Sequence, residues 1–428
     1  MEPHTLQDVK VNHPEDNQGV SHYHKNEVVV KFRTPPTDEQ LKQIQSEIQS
    51  EHMRKLGHNY VFRSKTMEAR QLMQYFNNWN VHYSEPHFLY LTNETASPLT
   101  PVDPKVITPN DTLYSRYQWN LPNIDTERGW ALNKGASDVI VGVVDTGVDM
   151  DHADLQGRLA PGYNFIDRGS RPMDDVGHGT HVSGVISANV NNGIGIAGMN
   201  WFGKIMPVKV LDSSGTGNTY SVAEGIIWAA DHGAKVINMS LGNYANAQFL
   251  HDAIRYAFDK DVVLIAASGN DNSSEPGYPA AYPEVLAVAA TDSQKKKKAS
   301  FSNYGDYIGV SAPGVNIAST YPHNQYAALS GTSMASPHVT ALAALIRAAN
   351  PDLKNTEVME VIRQSAKDLG PKGRDPYYGF GEIDVASALQ LATKQSVSPA
   401  VNNETNPPRP DSCCLHGFAA GLDKTASK

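Results

Sequence analysis

Apolar residues follow different periods in different parts of the chain, and the changes of period divide it. Up to Lys25 the residues are polar, include His4, His13, His22 and His24, and show no sustained hydrophobic period, which predicts a loose arm over 1–25. From Glu27 the pattern changes. Val28-Val29-Val30-Lys31-Phe32 predicts a strand, Thr37 to Met53 a polar-rich helix, Tyr60-Val61-Phe62 a second strand and Thr66 to Phe76 a second helix. Two further strands are predicted, at Val81-His82-Tyr83 and at Phe88-Leu89-Tyr90-Leu91. With one short strand hidden among them, the order is β-α-β-β-α-β, a small α+β split-βαβ sandwich over 26–92. Pro98, Pro101, Pro104 and Pro109 then stand among small polar residues, so an exposed linker is expected over 93–106.

Over 107–393 short apolar runs alternate with amphipathic stretches. Strands are predicted at Val139–Asp145, Ile205–Leu211, Val236–Leu241, Val262–Ala267 and Val285–Ala290. Helices fit His178–Ala188, Tyr220–His232, Ala247–Asp259, Ser333–Ala349 and Thr356–Asp368. Strands that are nearly continuous Val and Ile must be buried on both faces, which means a parallel sheet between two helical layers, a three-layer α/β fold. In such sheets ligands bind beyond the carboxyl ends of the strands. After Thr393 the periodicity stops, and a disordered tail is expected over 394–428.

Composition narrows the function. With 40% hydrophobic and 19% charged residues in 428, a sizeable core is available. A net charge of -9 gives no basic surface for nucleic acid. The one long like-charge run, Lys295 to Lys298, reads as a solvated loop. No apolar run approaches the ~20 residues that span a bilayer, so no membrane partner is expected, and the first twenty residues are too polar for a signal peptide. Cys413 and Cys414 are adjacent in the tail, where neither can staple a core.

Three segments carry chemistry. Asp145 closes the apolar run Val139 to Val144 and precedes Thr146-Gly147, so a carboxylate sits at the end of a buried strand; alone it is also a common turn residue. His178 and His181 stand three apart at a helix start in Gly177-His178-Gly179-Thr180-His181-Val182, a spacing open to zinc, yet no third ligand and no intervening Glu accompany them. Ser333, in Gly331-Thr332-Ser333-Met334-Ala335-Ser336-Pro337, begins an apolar helix, where a serine serves as a cap and also meets unpaired N–H groups that stabilise an oxyanion. The combination decides, because Asp, His and Ser follow in one of the known chain orders of a serine-protease triad.

On these three motifs the chain resembles the subtilase family from about Ile107 to Leu391. The resemblance implies a subtilisin-like fold and a serine endopeptidase, with Ser333 as nucleophile, His178 as general base and Asp145 orienting the imidazole. Asn270, in Ser268-Gly269-Asn270, matches the family's oxyanion donor. Ser240-Leu241-Gly242 and Gly215-Thr216-Gly217 match the two segments that flank an extended polypeptide substrate, and Gly269 and Gly277 match positions lining a roomy pocket for a large apolar side chain. The amino-terminal sandwich resembles the family's propeptide, which inhibits the enzyme until cleaved. Asp111, Asp154, Asn192 and the carbonyls of Ile194 and Ile196 match calcium ligands. A secreted, monomeric protein is the family expectation, and the rival from another class is an inactive homologue that serves as a binding protein.

Overall fold

The computed structural model describes residues 11–12, 22–91, 95–97, 109–293 and 297–394. The expected tail, the Cys413-Cys414 pair, and most of the arm and linker lie outside the described residues. Short elements are given below by residue range alone.

The amino-terminal module runs β1 (Tyr23–Phe32), α1 (Asp38–Glu47), β2 (Ser50–Leu56), β3 (Asn59–Ser64), α2 (Ala69–Phe76) and β4 (Val81–Leu91). The strand left open by the sequence is β2, which occupies what reads as the end of the first helix. That helix stops at Glu47 and the chain reverses at Gln49, whose φ is 49°. Pairing with β3 from Ser50↔Ser64 to Leu56↔Asn59 overrides the local helical pattern. The antiparallel order is β4-β1-β3-β2. Strand β1 begins at Tyr23, inside the stretch read as an arm, and Val11–Asn12 pairs with its first residues. Strand β4 is continuous through Pro86, at a place where the β1–β4 register is irregular and a missing N–H is tolerated.

Alternation along these strands fixes which face goes where. Val28, Val30, Phe32, Tyr60 and Phe62 pack against Ile44 of α1 and Leu72 and Phe76 of α2. The opposite set, Val29, Leu56 and Val61, packs against the second domain through Tyr220, Ile227, Phe249 and Ala253. The module therefore buries one face on its own helices and the other on its neighbour.

In the second domain the labelled elements are β5 (Ile140–Asp145), α3 (His178–Ser187), β6 (Lys204–Lys209), β7 (Thr216–Asn218), α4 (Thr219–Asp231), β8 (Ala234–Met239) and α5 (Gln248–Asp259). They continue with β9 (Val263–Ala267), β10 (Val285–Thr291), β11 (Ile308–Pro313), α6 (Thr332–Ala349), α7 (Asn355–Ser365) and α8 (Val385–Lys394). The sheet is parallel throughout, ordered β11-β10-β9-β8-β5-β6 with Tyr163–Asn164 at the edge. Val143 faces the layer holding Val182 of α3 and Val339 of α6, and Val144 faces the layer holding Val222 of α4 and Leu250 of α5. This is the expected three-layer α/β fold, a parallel sheet between two helical layers. The five predicted strands and five predicted helices of this domain are all present. β11, the hairpin Ile317–Tyr321 with Gln325–Ser330, and α8 are additions to that prediction; Gly309, Ser311 and Pro313 interrupt the apolar pattern of β11 and hide it.

Candidate active site

Asp145 ends β5 with no exposure, and Thr146 N–H donates to its Oδ1 at 2.7 Å. His178 opens α3, and its Nδ1 lies 2.6 Å from the same Oδ1, with both side chains fully buried. Burial pushes the Asp145 carboxyl above its ordinary range, and His178 beside it opposes that shift. Close backbone approach sets this geometry. A Cβ on Gly179 would lie 2.1 Å from the carbonyl oxygen of Gly147, and Gly147 itself has a φ of 103°.

Asp174 was not found from the sequence, and it organises the start of α3. Its carboxylate accepts from Thr146 Oγ1 at 2.8 Å, Gly177 N at 2.9 Å, Thr180 N at 2.8 Å and Thr180 Oγ1 at 2.6 Å. Thr146 Oγ1 in turn accepts from Gly179 N at 2.9 Å, which ties the end of β5 to the first turn of α3. Its only sequence signal is an acidic residue shortly before a helix start. His181 is spent elsewhere, donating from Nε2 to the carbonyls of Ile317 at 2.8 Å and Ala327 at 3.2 Å.

Ser333 is 4% exposed in the first turn of α6. Its Oγ donates to the carbonyl of Ser240 at 3.3 Å, while Ser240 Oγ donates to the carbonyl of Ser333 at 2.9 Å. Asn270 lies alongside. Its Oδ1 accepts from Thr332 N and Thr332 Oγ1, both at 2.8 Å, which turns the amide nitrogen toward Gly331. A Cβ on Gly331 would stand 3.3 Å from that nitrogen and 3.6 Å from Ser333 N. A glycine there keeps open the space between the two donors.

Of the segments expected to flank a substrate, Thr216–Asn218 forms β7, and its partner is the module's own strand. β4 adds antiparallel, with Leu91 opposite Thr216, Tyr90 opposite Gly217 and Leu89 opposite Asn218. Tyr90 is fully buried in the cluster that holds Leu241, Val222 and Leu250. Asn243, just past Gly242, donates to the carbonyl of Leu89. Farther on, Thr95 pairs with Ser330, three residues before Ser333. The glycines divide by cause. A Cβ on Gly242 would meet only Tyr278 O, at 3.5 Å, and one on Gly277 only the Ser268 carbonyl, at 3.0 Å. Gly269 differs, because its φ is 109° and a Cβ would strike Asn303 Nδ2 at 2.3 Å. It is glycine for its backbone rather than to widen a pocket.

The module also takes two helix N-termini. Glu85 accepts from Gln248 N at 2.8 Å and Phe249 N at 3.0 Å at the start of α5, and burial pushes its carboxyl up to about 7. His87 Nε2 accepts from Tyr220 N at 3.3 Å at the start of α4. Lys31 pairs with Asp252 at 2.5 Å.

The expected cation ligands converge at the other side of the hairpin. Asn192 Nδ2 donates to Asp154 Oδ1 at 2.7 Å, Ile196 N to Asp154 Oδ2 at 3.0 Å, and Asn191 N to Asp111 Oδ2 at 2.9 Å. Asp111 Oδ1 is buried with no partner among the described residues. Burial first, and the nearby Asp111 charge after it, push the Asp154 carboxyl up to about 6. Two buried carboxylates, with no cationic side chain among the described residues hydrogen-bonded to either, suit a hard cation, and the donors are oxygens once the Asn192 amide turns its Oδ1 inward.

Residues 136–381 match the model of the subtilase family. The chain is 39% identical over 391 residues to the thermophilic serine proteinase of Bacillus sp. (strain AK1), covering 90% of this chain and 92% of that protein. It is 42% identical over 283 residues to thermitase of Thermoactinomyces vulgaris, covering 66% of this chain and 99% of thermitase. Among solved structures, fervidolysin from Fervidobacterium pennivorans, a keratinolytic enzyme related to subtilisin, superposes with a TM-score of 0.76 at 29% identity. That match covers 90% of this chain and 64% of the fervidolysin chain.

Proposed function

Since the chain belongs to the subtilase family and is a serine endopeptidase acting on polypeptides, we propose that Asp145, His178, Ser333 and Asn270 carry its chemistry and that it is made as a self-inhibited, self-processing zymogen. The observation that carries the catalytic assignment is the 2.6 Å contact of His178 Nδ1 with the fully buried Asp145 carboxylate. With Nδ1–H donating to that carboxylate, the basic lone pair is on Nε2, and this nitrogen takes the proton of Ser333 Oγ as the hydroxyl attacks the peptide carbonyl. Negative charge then grows on the carbonyl oxygen, and Asn270 Nδ2 and the Ser333 N–H receive it. His178 returns the proton to the leaving amine, and water repeats the sequence to release the acyl group.

Substrate lies as an added strand between β7 and Ser240-Leu241-Gly242, so flexible chain is cut in preference to folded protein. Gly242 and Gly277 leave room for a large apolar side chain before the scissile bond, and no basic residue in the matched segments would neutralise a buried carboxylate. The pairing of β4 with β7 supports the zymogen reading, because the module then holds the edge that substrate needs. Leu91 pairs with Thr216 and Thr95 with Ser330, so the processing bond is assigned to the stretch between them. Asp111, Asp154, Asn192 and the Ile194 and Ile196 carbonyls hold a calcium ion, which braces the loop between α3 and β6. The family expectation of export and of a monomer completes the reading. Casein hydrolysis by the processed enzyme tests it. A serine-directed inhibitor should abolish it, and Ser333→Ala should lower kcat by on the order of 10⁶-fold. Activity that survives both would remove Ser333 from the mechanism.

A further inference from the structure

A histidine and a glutamate three residues apart would lie on opposite faces of a regular strand. In β1 they do not separate. The register with β4 jumps from Tyr23↔Phe88 to Val28↔Pro86, so five residues of β1 advance against two of β4. This irregularity gathers His24 and Glu27 beside His87, with ligand atoms of all three within 4.8 Å of one another. The three residues are 7%, 4% and 1% exposed. The His24 and His87 rings lie 5.0 Å apart by centroid at 38°, and no described residue hydrogen-bonds the His24 ring. Arg63 Nε donates to Glu27 Oε1 at 2.5 Å, which leaves Oε2 directed at His87 Nδ1, 2.6 Å away.

We infer that His24, Glu27 and His87 form a site for a divalent transition ion of the zinc class, and that the ion competes with docking of the module on the catalytic domain. Two imidazoles and one carboxylate are an established ligand set for zinc, with a fourth position left for water. Bonds of about 2.0–2.1 Å need ligand atoms further apart than 2.6 Å, so His87 must draw back from Glu27 to admit the ion. Arg63 keeps the carboxylate oriented while this happens.

Competition follows from the tautomer of His87. A neutral imidazole has one acceptor nitrogen, and here it is Nε2, which receives the Tyr220 N–H, while Nδ1–H donates to Glu27. An ion on Nδ1 takes that lone pair and the ring proton moves to Nε2, with no net gain or loss of protons. Nε2–H then faces the Tyr220 N–H, donor against donor, and that N–H in the first turn of α4 loses its acceptor, while Asn218 still caps Ser221 N. The ion favours the undocked module, and by linkage the docked module lowers affinity for the ion.

The site stands apart from the zymogen reading, whereas the competition rests on it, and two readouts separate them. Uncleaved Ser333→Ala protein, with calcium in excess, is titrated with cobalt(II). One equivalent should give the visible absorption of a low-coordinate, imidazole-bound ion. That absorption should vanish in both His24→Ala and His24→Gln, and Glu27→Gln should weaken binding at least ~10-fold. A spectrum indifferent to His24, or no such band in the Ser333→Ala parent itself, overturns the site; an unfolding temperature unchanged in the His24 variants ties the lost band to the ligand rather than to misfolding. In the second readout, zinc should hasten removal of the module from Ser333→Ala by trypsin several-fold, and should not do so in His24→Gln. Cobalt binding without accelerated removal overturns the competition.

Discussion

Two pairs of helix N-termini meet at the carboxyl ends of the sheet, and they are completed in different ways. The starts of α3 and α6 are held from within the catalytic domain, by Asp174 and Thr146 for the first and by Asn270 with Ser240 for the second. They present His178 and Ser333. The start of α5 is capped by Glu85 of the amino-terminal module, and at the start of α4 the Tyr220 N–H goes to the module's His87 beside the local Asn218 cap; both module residues lie more than 130 residues away in the chain. The first pair is a fixed part of the fold. The second depends on side chains of another domain, so the same kind of N–H group is held locally in one place and by a contact between domains in the other.

Changes within the first pair should cost chemistry and spare docking. Asn270→Ala removes the side-chain donor, and kcat should fall about 10²- to 10³-fold with KM little changed. A large rise in KM with kcat intact would place Asn270 in binding instead. Changes in the second pair should do the reverse. Tyr90→Ala empties a fully buried site in the partner domain, so inhibition by the added module should weaken on the order of 100-fold while kcat of the processed enzyme stays put. Glu85→Ala, which removes one cap, should weaken it only several-fold, since a cap contributes about 1 kcal/mol.

The fixed pair also carries a pH dependence of its own. His338 in α6 is fully buried, accepts from Asn120 Nδ2 at 2.7 Å and bonds the Met334 carbonyl at 2.8 Å, and burial lowers its pKa to about 4. The unfolded chain therefore binds a proton that the native one refuses between about 6.5 and 4. The stability this group contributes is complete above about 6.5 and is lost as pH falls toward 4, by roughly 3 kcal/mol. Denaturant unfolding of the processed enzyme at pH 7 and pH 4.5 measures it, and His338→Gln should flatten the difference. An equal loss in that variant would assign the acid sensitivity to other groups.

The first pair was legible in the sequence because its information is local. Asp145, His178 and Ser333 each sit at the junction of an apolar run and a turn, and the order of the three segments carries the rest. Asn270 came only through its motif, and Asp174 did not come at all, since a carboxylate that bonds five groups looks like any acidic loop residue. The second pair was illegible for a different reason. Glu85 and His87 flank a proline in a stretch that reads as a break, and the amides they cap lie in another domain. β2 was lost in the same way, because its strand character comes from pairing with β3 rather than from its own pattern.

The central claim is that Ser333 cuts its own chain between the two strand pairings that bracket the site. Intact mass measurement of Ser333→Ala and wild-type protein, both purified from a host without other extracellular proteases, tests it most directly. The wild type should split at a bond between Leu91 and Thr95, and the variant should remain one uncut chain of 46.6 kDa less one oxygen. Cleavage of the Ser333→Ala chain at that same bond would contradict the account.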